Sequence, residues 1–153
     1  MNAHRCWYTK WLVTITNGVK DTIDVHIKST DHDIGHYMIP FKKKFSWKFC
    51  SKLIGTHWTG YFLWGSKHAA LALMDKEIEA RCHNVSKADQ SCFWLVMSDG
   101  FYLSYDNATF PAEEDFLILI GYFERRQNKT GTKRNLELDF RMNYGVYNIF
   151  FEE

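Results

Sequence analysis

The sequence predicts an all-β protein: an antiparallel β-sandwich with short connecting loops and an extra C-terminal hairpin. Three observations carry this. Apolar and polar residues alternate with period two along most of the chain. Turn signals break that alternation about every eight to twelve residues, the rhythm of a sandwich. Aromatic residues make up 17% of the 153 positions and recur along the whole length. Only Pro40 and Pro111 are proline and no Ser/Pro-rich linker divides the chain, so residues 1–153 read as a single domain. A chain of this size can bury most of its apolar surface unaided.

The elements follow in order. Trp11, Val13 and Ile15 share one face of a first strand, which Asn17-Gly18 ends as a turn signal. Ile23, Val25 and Ile27 alternate with Asp24, His26 and Lys28 in a half-buried second strand. The acidic run Asp31-His32-Asp33-Ile34-Gly35-His36 then reads as a turn. Phe45, Trp47 and Phe49 repeat the alternation with Ser46 and Lys48 outward. Trp58 to Trp64 is a strand expected to be covered on both faces, and Ala70 to Met74 a further one. Residues 75–81, Asp-Lys-Glu-Ile-Glu-Ala-Arg, are the single helical candidate. Phe93 to Met97 leads through Ser98-Asp99-Gly100 into Phe101 to Leu103. Phe116 to Tyr122 is a predicted buried strand. Leu136, Leu138, Phe140 and Met142 alternate with charges, and Tyr144-Gly145 turns the chain into Val146 to Phe151, the terminal hairpin. Trp47, Trp58, Trp64 and Trp94 are assigned to the core, whereas Trp7 and Trp11 are expected to be exposed.

Composition excludes several function classes. A formal net charge of +1 gives no global attraction to nucleic acid or an anionic membrane. Lys42-Lys43-Lys44 is a local basic cluster, read as a solvated loop or strand edge. No apolar run approaches the roughly 20 residues that span a bilayer, so membrane insertion is not expected. Residues 1–16 do not read as a signal peptide, because Asn2, His4, Arg5 and Thr9 interrupt any hydrophobic stretch. The chain is therefore read as cytosolic or as a mature form without its leader. Asn84-Val-Ser, Asn107-Ala-Thr and Asn128-Lys-Thr are glycosylation sequons compatible with secretion.

The candidate chemistry is sparse. Asp31-x-Asp33-x-Gly35 supplies two carboxylates but lacks the further oxygen position and distal Glu of a calcium loop. The two aspartates are read instead as caps on turn amides, and neither a metal nor a cofactor is expected. No Gly-x-Ser-x-Gly, His-Glu-x-x-His or Cys-x-x-Cys occurs among the seven histidines and four cysteines. The enzyme alternative is a ribonuclease-like hydrolase with a His-based site, to be recognised by His and carboxylate side chains clustered in one pocket.

The order of several weak motifs resembles the plant self-incompatibility S-protein homologues. Val13-Thr-Ile-Thr-Asn17, Lys28-Ser-Thr-Asp-His-Asp-Ile-Gly35, Phe45-Ser-Trp-Lys-Phe49, Gly55-Thr56 before Trp58 to Trp64, Cys82, Cys92-Phe-Trp94 and Asp99-Gly100 match that family's sequence text in order, over about residues 12–103. Residues 104–153 exceed the family pattern and read as additional strands. The resemblance implies four cysteines, two of which are replaced here by Ile27 and Gly60. It further implies that Cys82 and Cys92 form the retained disulfide. Cys6 and Cys50 are extra, and either pair with each other or remain buried thiols.

The function the resemblance implies is that of a small secreted ligand in cell–cell recognition, with a monomer favoured though the sequence leaves the oligomeric state open. Such a protein binds a cell-surface receptor or other protein through its loops, without enzymatic activity. The expected recognition residues are Asp31, His32, Asp33 and His36, then Lys42, Lys43 and Lys44, and His83, Lys87 and Asp89 in the segment from His83 to Gln90. An effector-type sandwich that interferes with host proteins is a third reading.

Overall fold

The computed structural model describes residues 6–52, 56–104, 118–125 and 149–150. Eleven strands and one helix occur among them: β1 (Lys10–Asn17), β2 (Ile23–Ser29), β3 (Asp33–Ile39), β4 (Lys44–Cys50), β5 (Trp58–Trp64), β6 (Lys67–Met74), α1 (Lys76–Cys82), β7 (Gln90–Met97), β8 (Gly100–Ser104), β9 (Ile118–Gly121), β10 (Glu124–Arg125) and β11 (Ile149–Phe150). They form two sheets. The first has the order β4-β1-β7-β8-β9, and the second β10-β6-β5-β2-β3, with β11 also paired to β6. The all-β sandwich is as predicted.

One pairing departs from the antiparallel expectation. β1 and β7 run parallel, Val13 opposite Cys92 and Ile15 opposite Trp94. Parallel neighbours need a long crossover. Here everything from β2 to α1 supplies it, so the chain builds the second sheet before returning to the first.

The inner faces follow parity. Trp11, Val13 and Ile15 of β1 lie under Val25, Ile27 and Phe62 of the second sheet, all buried. Phe62 meets Phe101 across the sandwich with ring centroids 4.8 Å apart. Trp94 donates its indole N–H to the Leu73 carbonyl at 3.1 Å, a polar tie between the sheets. Trp11, expected at the surface, is 1% exposed. It begins the inward parity of β1 and so belongs to the core, while Trp7, one residue beyond the disulfide-bonded Cys6, is 82% exposed.

β3 corrects a second expectation. The run taken as a turn is a turn only as far as His32; from Asp33 the chain is a strand, with His36 directly opposite His26. Gly35 at φ 93° and a bulge between Ile27 and Lys28 let the strand begin immediately after the turn. α1 is the predicted helix, started by Asp75, whose carboxylate accepts from the Ile78 amide at 2.9 Å. Phe116 to Tyr122 is strand over Ile118–Gly121. The predicted strand from Leu136 to Met142 and its Tyr144-Gly145 turn lie outside the described residues, as do Asn107 and Asn128.

Candidate functional site

Strand direction sorts the loops onto two ends. At one end lie the β1–β2 turn, the β3–β4 loop and the β7–β8 turn. At the other lie the segment leading into β1, the β2–β3 turn, the β4–β5 connection, α1 and the loop from His83 to Asp89.

The first end is organised by Asn17, which is fully buried. Its amide nitrogen donates to the carbonyls of Asp21 and Ile39, each at 2.8 Å, and its side-chain oxygen accepts from the Val19 amide at 2.8 Å. Its backbone adds two bonds to the β3–β4 loop, donating to the Lys43 carbonyl at 3.0 Å and accepting from the Lys42 amide at 2.7 Å. Lys42, Lys43 and Lys44 therefore lie at the Asn17 end. Lys42 holds φ 68° so that the loop can close by a bond from the Lys43 amide to Pro40.

The second end carries both disulfides. Cys6–Cys50 joins the segment before β1 to the end of β4, with Cα atoms 5.6 Å apart. Cys82–Cys92 joins the last residue of α1 to β7, with Cα atoms 5.5 Å apart. The two remaining family positions, Ile27 and Gly60, are direct cross-strand partners between β2 and β5. Their joint replacement is thus the exchange of one neighbouring pair in the core.

Two of the expected recognition segments share this end. In the β2–β3 turn, the Ser29 hydroxyl accepts from the amides of Asp31 and His32, and the Ser29 amide donates to His32 O at 2.7 Å. Asp33 caps the Gly35 amide at 2.9 Å, the predicted aspartate role. Asp31 instead pairs with Lys52 of the β4–β5 connection. In the second segment, buried Gln90 accepts from the Asn84 amide at 2.7 Å and donates to the carbonyls of Asn84 and Lys87. That leaves His83, Lys87 and Asp89 exposed on a loop of fixed shape, with Val85 91% exposed. Asn84 is exposed, and its Oδ1 lies 2.7 Å from the hydroxyl of Ser86, its sequon partner.

Between the β2–β3 turn and the β4–β5 connection lies a cavity of about 300 Å³. Phe49 and Trp58 form its aromatic wall, and Asp31, His32, Lys52 and His57 contribute polar groups. Trp58 is 5% exposed, yet its indole N–H has no acceptor among the described residues.

Two histidine groups bear on the enzyme alternative. His26 and His36 stack on the outer face of the second sheet, centroids 4.2 Å apart. His26 meets Asp33 at 2.7 Å, and His36 meets Asp24 at 3.3 Å. The hydrogen bond from His26, then that from the Gly35 amide, holds the Asp33 carboxyl below its usual range. These rings are oriented by carboxylates but face outward from a sheet, away from the cavity-lining set. His32 and His57 line the cavity, but neither ring has a hydrogen-bond or ion-pair partner among the described residues. A general base needs both a pocket and an orienting partner, and here the two requirements fall on different histidines. No group of three or more His, Cys, Asp or Glu among the described residues is placed to hold a metal.

Sequence reasoning missed β3 as a strand, the His26–His36 stack and the Asn17 hub. Asn17 stood in the sequence as half of an Asn-Gly turn signal and as the end of the first family motif. Of the cavity residues, Thr56 and Trp58 stood in a family motif, with Trp58 also assigned to the core, and Lys52 had no signal beyond its position between two motifs.

The fold and the motif order have counterparts among known proteins. The chain matches the family model for plant self-incompatibility protein S1 over residues 12–116. It is 28% identical to S-protein homolog 1 and 29% identical to S-protein homolog 74, both of Arabidopsis thaliana, each over 102 residues. Each match spans 62% of this chain and 63% of the relative's own length. A solved structure of an SPH (Self-Incompatibility Protein Homologue) protein, from what is described as a widespread family of small, highly stable, secreted plant proteins, superposes with a TM-score of 0.53. That superposition covers 80% of this chain and all of the other at 14% identity, a likeness of fold alone. With a family match over more than two thirds of its length, and the sandwich and late disulfide in place, the chain belongs to the plant self-incompatibility protein S1 family.

Proposed function

We propose that this protein is a secreted recognition ligand that binds a cell-surface protein through the loops of its disulfide end. One observation carries the reading. Trp7 and Val85, the two most exposed large hydrophobic side chains among the described residues, both lie at that end, which also carries the cavity and two hydrophilic loops. Exposed apolar groups ringed by polar ones are the usual composition of a docking surface. The S-protein homologues describe a family of secreted plant proteins, which supports an extracellular setting in which the disulfides persist.

On this reading the binding residues are Asp31 and His32 of the β2–β3 turn with His83, Lys87 and Asp89 of the opposite loop. Asp33 and His36 extend that surface along β3. Lys42, Lys43 and Lys44 lie at the far end and take no part in the same contact. Binding of purified, disulfide-intact protein to intact plant cells tests this. Replacing residues 30–33 and 83–89 with the loops of an S-protein homolog should change which cells are bound. Unchanged cell preference after both replacements would refute the proposal.

A further inference from the structure

We infer that the cavity at the disulfide end is a saccharide site, shaped to hold one neutral sugar ring such as the terminal residue of a glycan. The inference deepens the recognition reading by naming the chemistry that the surface grips.

Size is the first argument. Ligand sites run from about 300 to 1,000 Å³, and this cavity, at about 300 Å³, lies at the small end, with room for a single ring. Charge is the second. Asp31 and Lys52 are paired with each other at the mouth, which leaves neither a net cationic cradle for a phosphate nor a net anionic one for an amine. The lining is the third. Phe49 and Trp58 offer an aromatic wall to the C–H face of a sugar. Thr30 supplies a hydroxyl, and those of Ser29 and Thr56, held in place by the amides of Asp31, His32 and Lys52, stand beside the Asp31 carboxylate, the Lys52 ammonium and the imidazoles of His32 and His57. Adjacent sugar hydroxyls, each a donor and an acceptor, match such a mixed rim.

Two further observations point to a ligand. The Trp58 indole N–H, like that of Trp47, is a buried donor without an acceptor among the described residues, but only Trp58 of the two lines the cavity, where a hydroxyl oxygen would satisfy it. Cys6–Cys50 also holds an unusual neighbour in place: Cys50 lines the cavity, and its partner Cys6 is followed directly by the exposed Trp7 and Tyr8. Two aromatic surfaces beside an aromatic-walled cavity offer stacking positions for further rings of a longer chain.

The test uses the full, disulfide-intact protein, isotopically labelled, titrated separately with glucose, galactose, mannose and N-acetylglucosamine and followed by amide chemical shifts. At least one sugar should give saturable shifts confined to residues 29–32, 49–52 and 56–58, with a dissociation constant of roughly 1–10 mM, as expected for so few ligand atoms. Asp31→Ala should weaken that sugar at least tenfold, and Thr56→Val should do so severalfold, both with unchanged spectra elsewhere. Absence of saturable shifts for all four sugars would overturn the inference. Equal shifts with acetate or inorganic phosphate would overturn it too, by reassigning the cavity to an anion. Cell binding that survives Asp31→Ala and excess sugar would sink the saccharide site and leave the recognition surface standing. Sugar binding without any cell binding would do the reverse.

Discussion

The two ends of the sandwich are closed by different physical means. At one end a buried asparagine satisfies the loops with three side-chain hydrogen bonds and two backbone bonds. At the other, two disulfides hold the framework, and several polar side chains are left facing outward or into a cavity. A hydrogen-bonded hub fixes sequence, because each loop must present the right carbonyl or amide at the right place. A disulfide constrains the backbone and leaves the intervening side chains free. The difference teaches where variation is tolerated, and hence where a recognition surface can be varied without unfolding the domain.

Breaking each closure in turn should reveal the asymmetry. The largest effect is expected for Cys6→Ser with Cys50→Ser, which opens a loop with a sequence separation of 44. On the chain-entropy model that bridge contributes about 4 kcal/mol, against about 2.5–3 kcal/mol for Cys82–Cys92 with its separation of 10. Chemical denaturation of the two double variants should return that order, with amide exchange rising at the disulfide end only. Asn17→Ala comes next. It removes two buried bonds and one part-buried bond and leaves backbone groups unsatisfied, an expected loss of about 3 kcal/mol. Its exchange should rise in residues 18–22 and 40–43 instead.

The middle of the sandwich serves as the control. A Cβ on Gly60 would lie 2.6 Å from Leu73 Cδ1 and 2.8 Å from Phe62 Cε2. Gly60→Ala should therefore cost about 1–3 kcal/mol through overpacking, without favouring either end in exchange.

The smallest expected effect is at Glu79 of α1. Burial raises its carboxyl pKa, and the neighbouring Trp11 indole pulls it partly back. A raised carboxylate pKa means the fold prefers the protonated acid, so ionisation costs stability as the pH rises past the ordinary carboxylate value. Glu79→Gln should then be more stable at pH 7 by about half a kcal/mol after allowing for solvent screening. The gain should vanish below about pH 4, where the parent is also neutral. Asp33 has the opposite sign. Its lowered value makes it stabilising at neutral pH, and that support is lost as the pH falls through the lowered value.

Much of the fold was legible because parity is read directly from sequence. β1, β2, β4, β5 and β7 each show alternate apolar residues, and the Asp75 cap marks the start of α1. β3 was not legible for a physical reason. Its inward residues are interrupted by Gly35, and its outward ones, His36 and Met38, carry no uniform polarity. The parallel β1–β7 pair was hidden because period two says nothing of strand direction. Of the site, the loops were visible as polar runs between strands. Their division between two ends depends on direction and register, which place Lys42–Lys44 far from Asp31 and Lys87.

The most direct test of this asymmetry measures cell-surface binding and melting temperature together in two charge-reversal variants. One carries Asp31→Lys and Lys87→Glu at the disulfide end, and the other Lys42→Glu and Lys43→Glu at the Asn17 end. The first should lose at least tenfold in binding with its melting temperature within about 3 °C of the parent, since exposed pairs contribute little. The second should bind as the parent does. Loss of binding in the Lys42/Lys43 variant, with the Asp31/Lys87 variant unaffected, would place recognition at the other end and contradict the account.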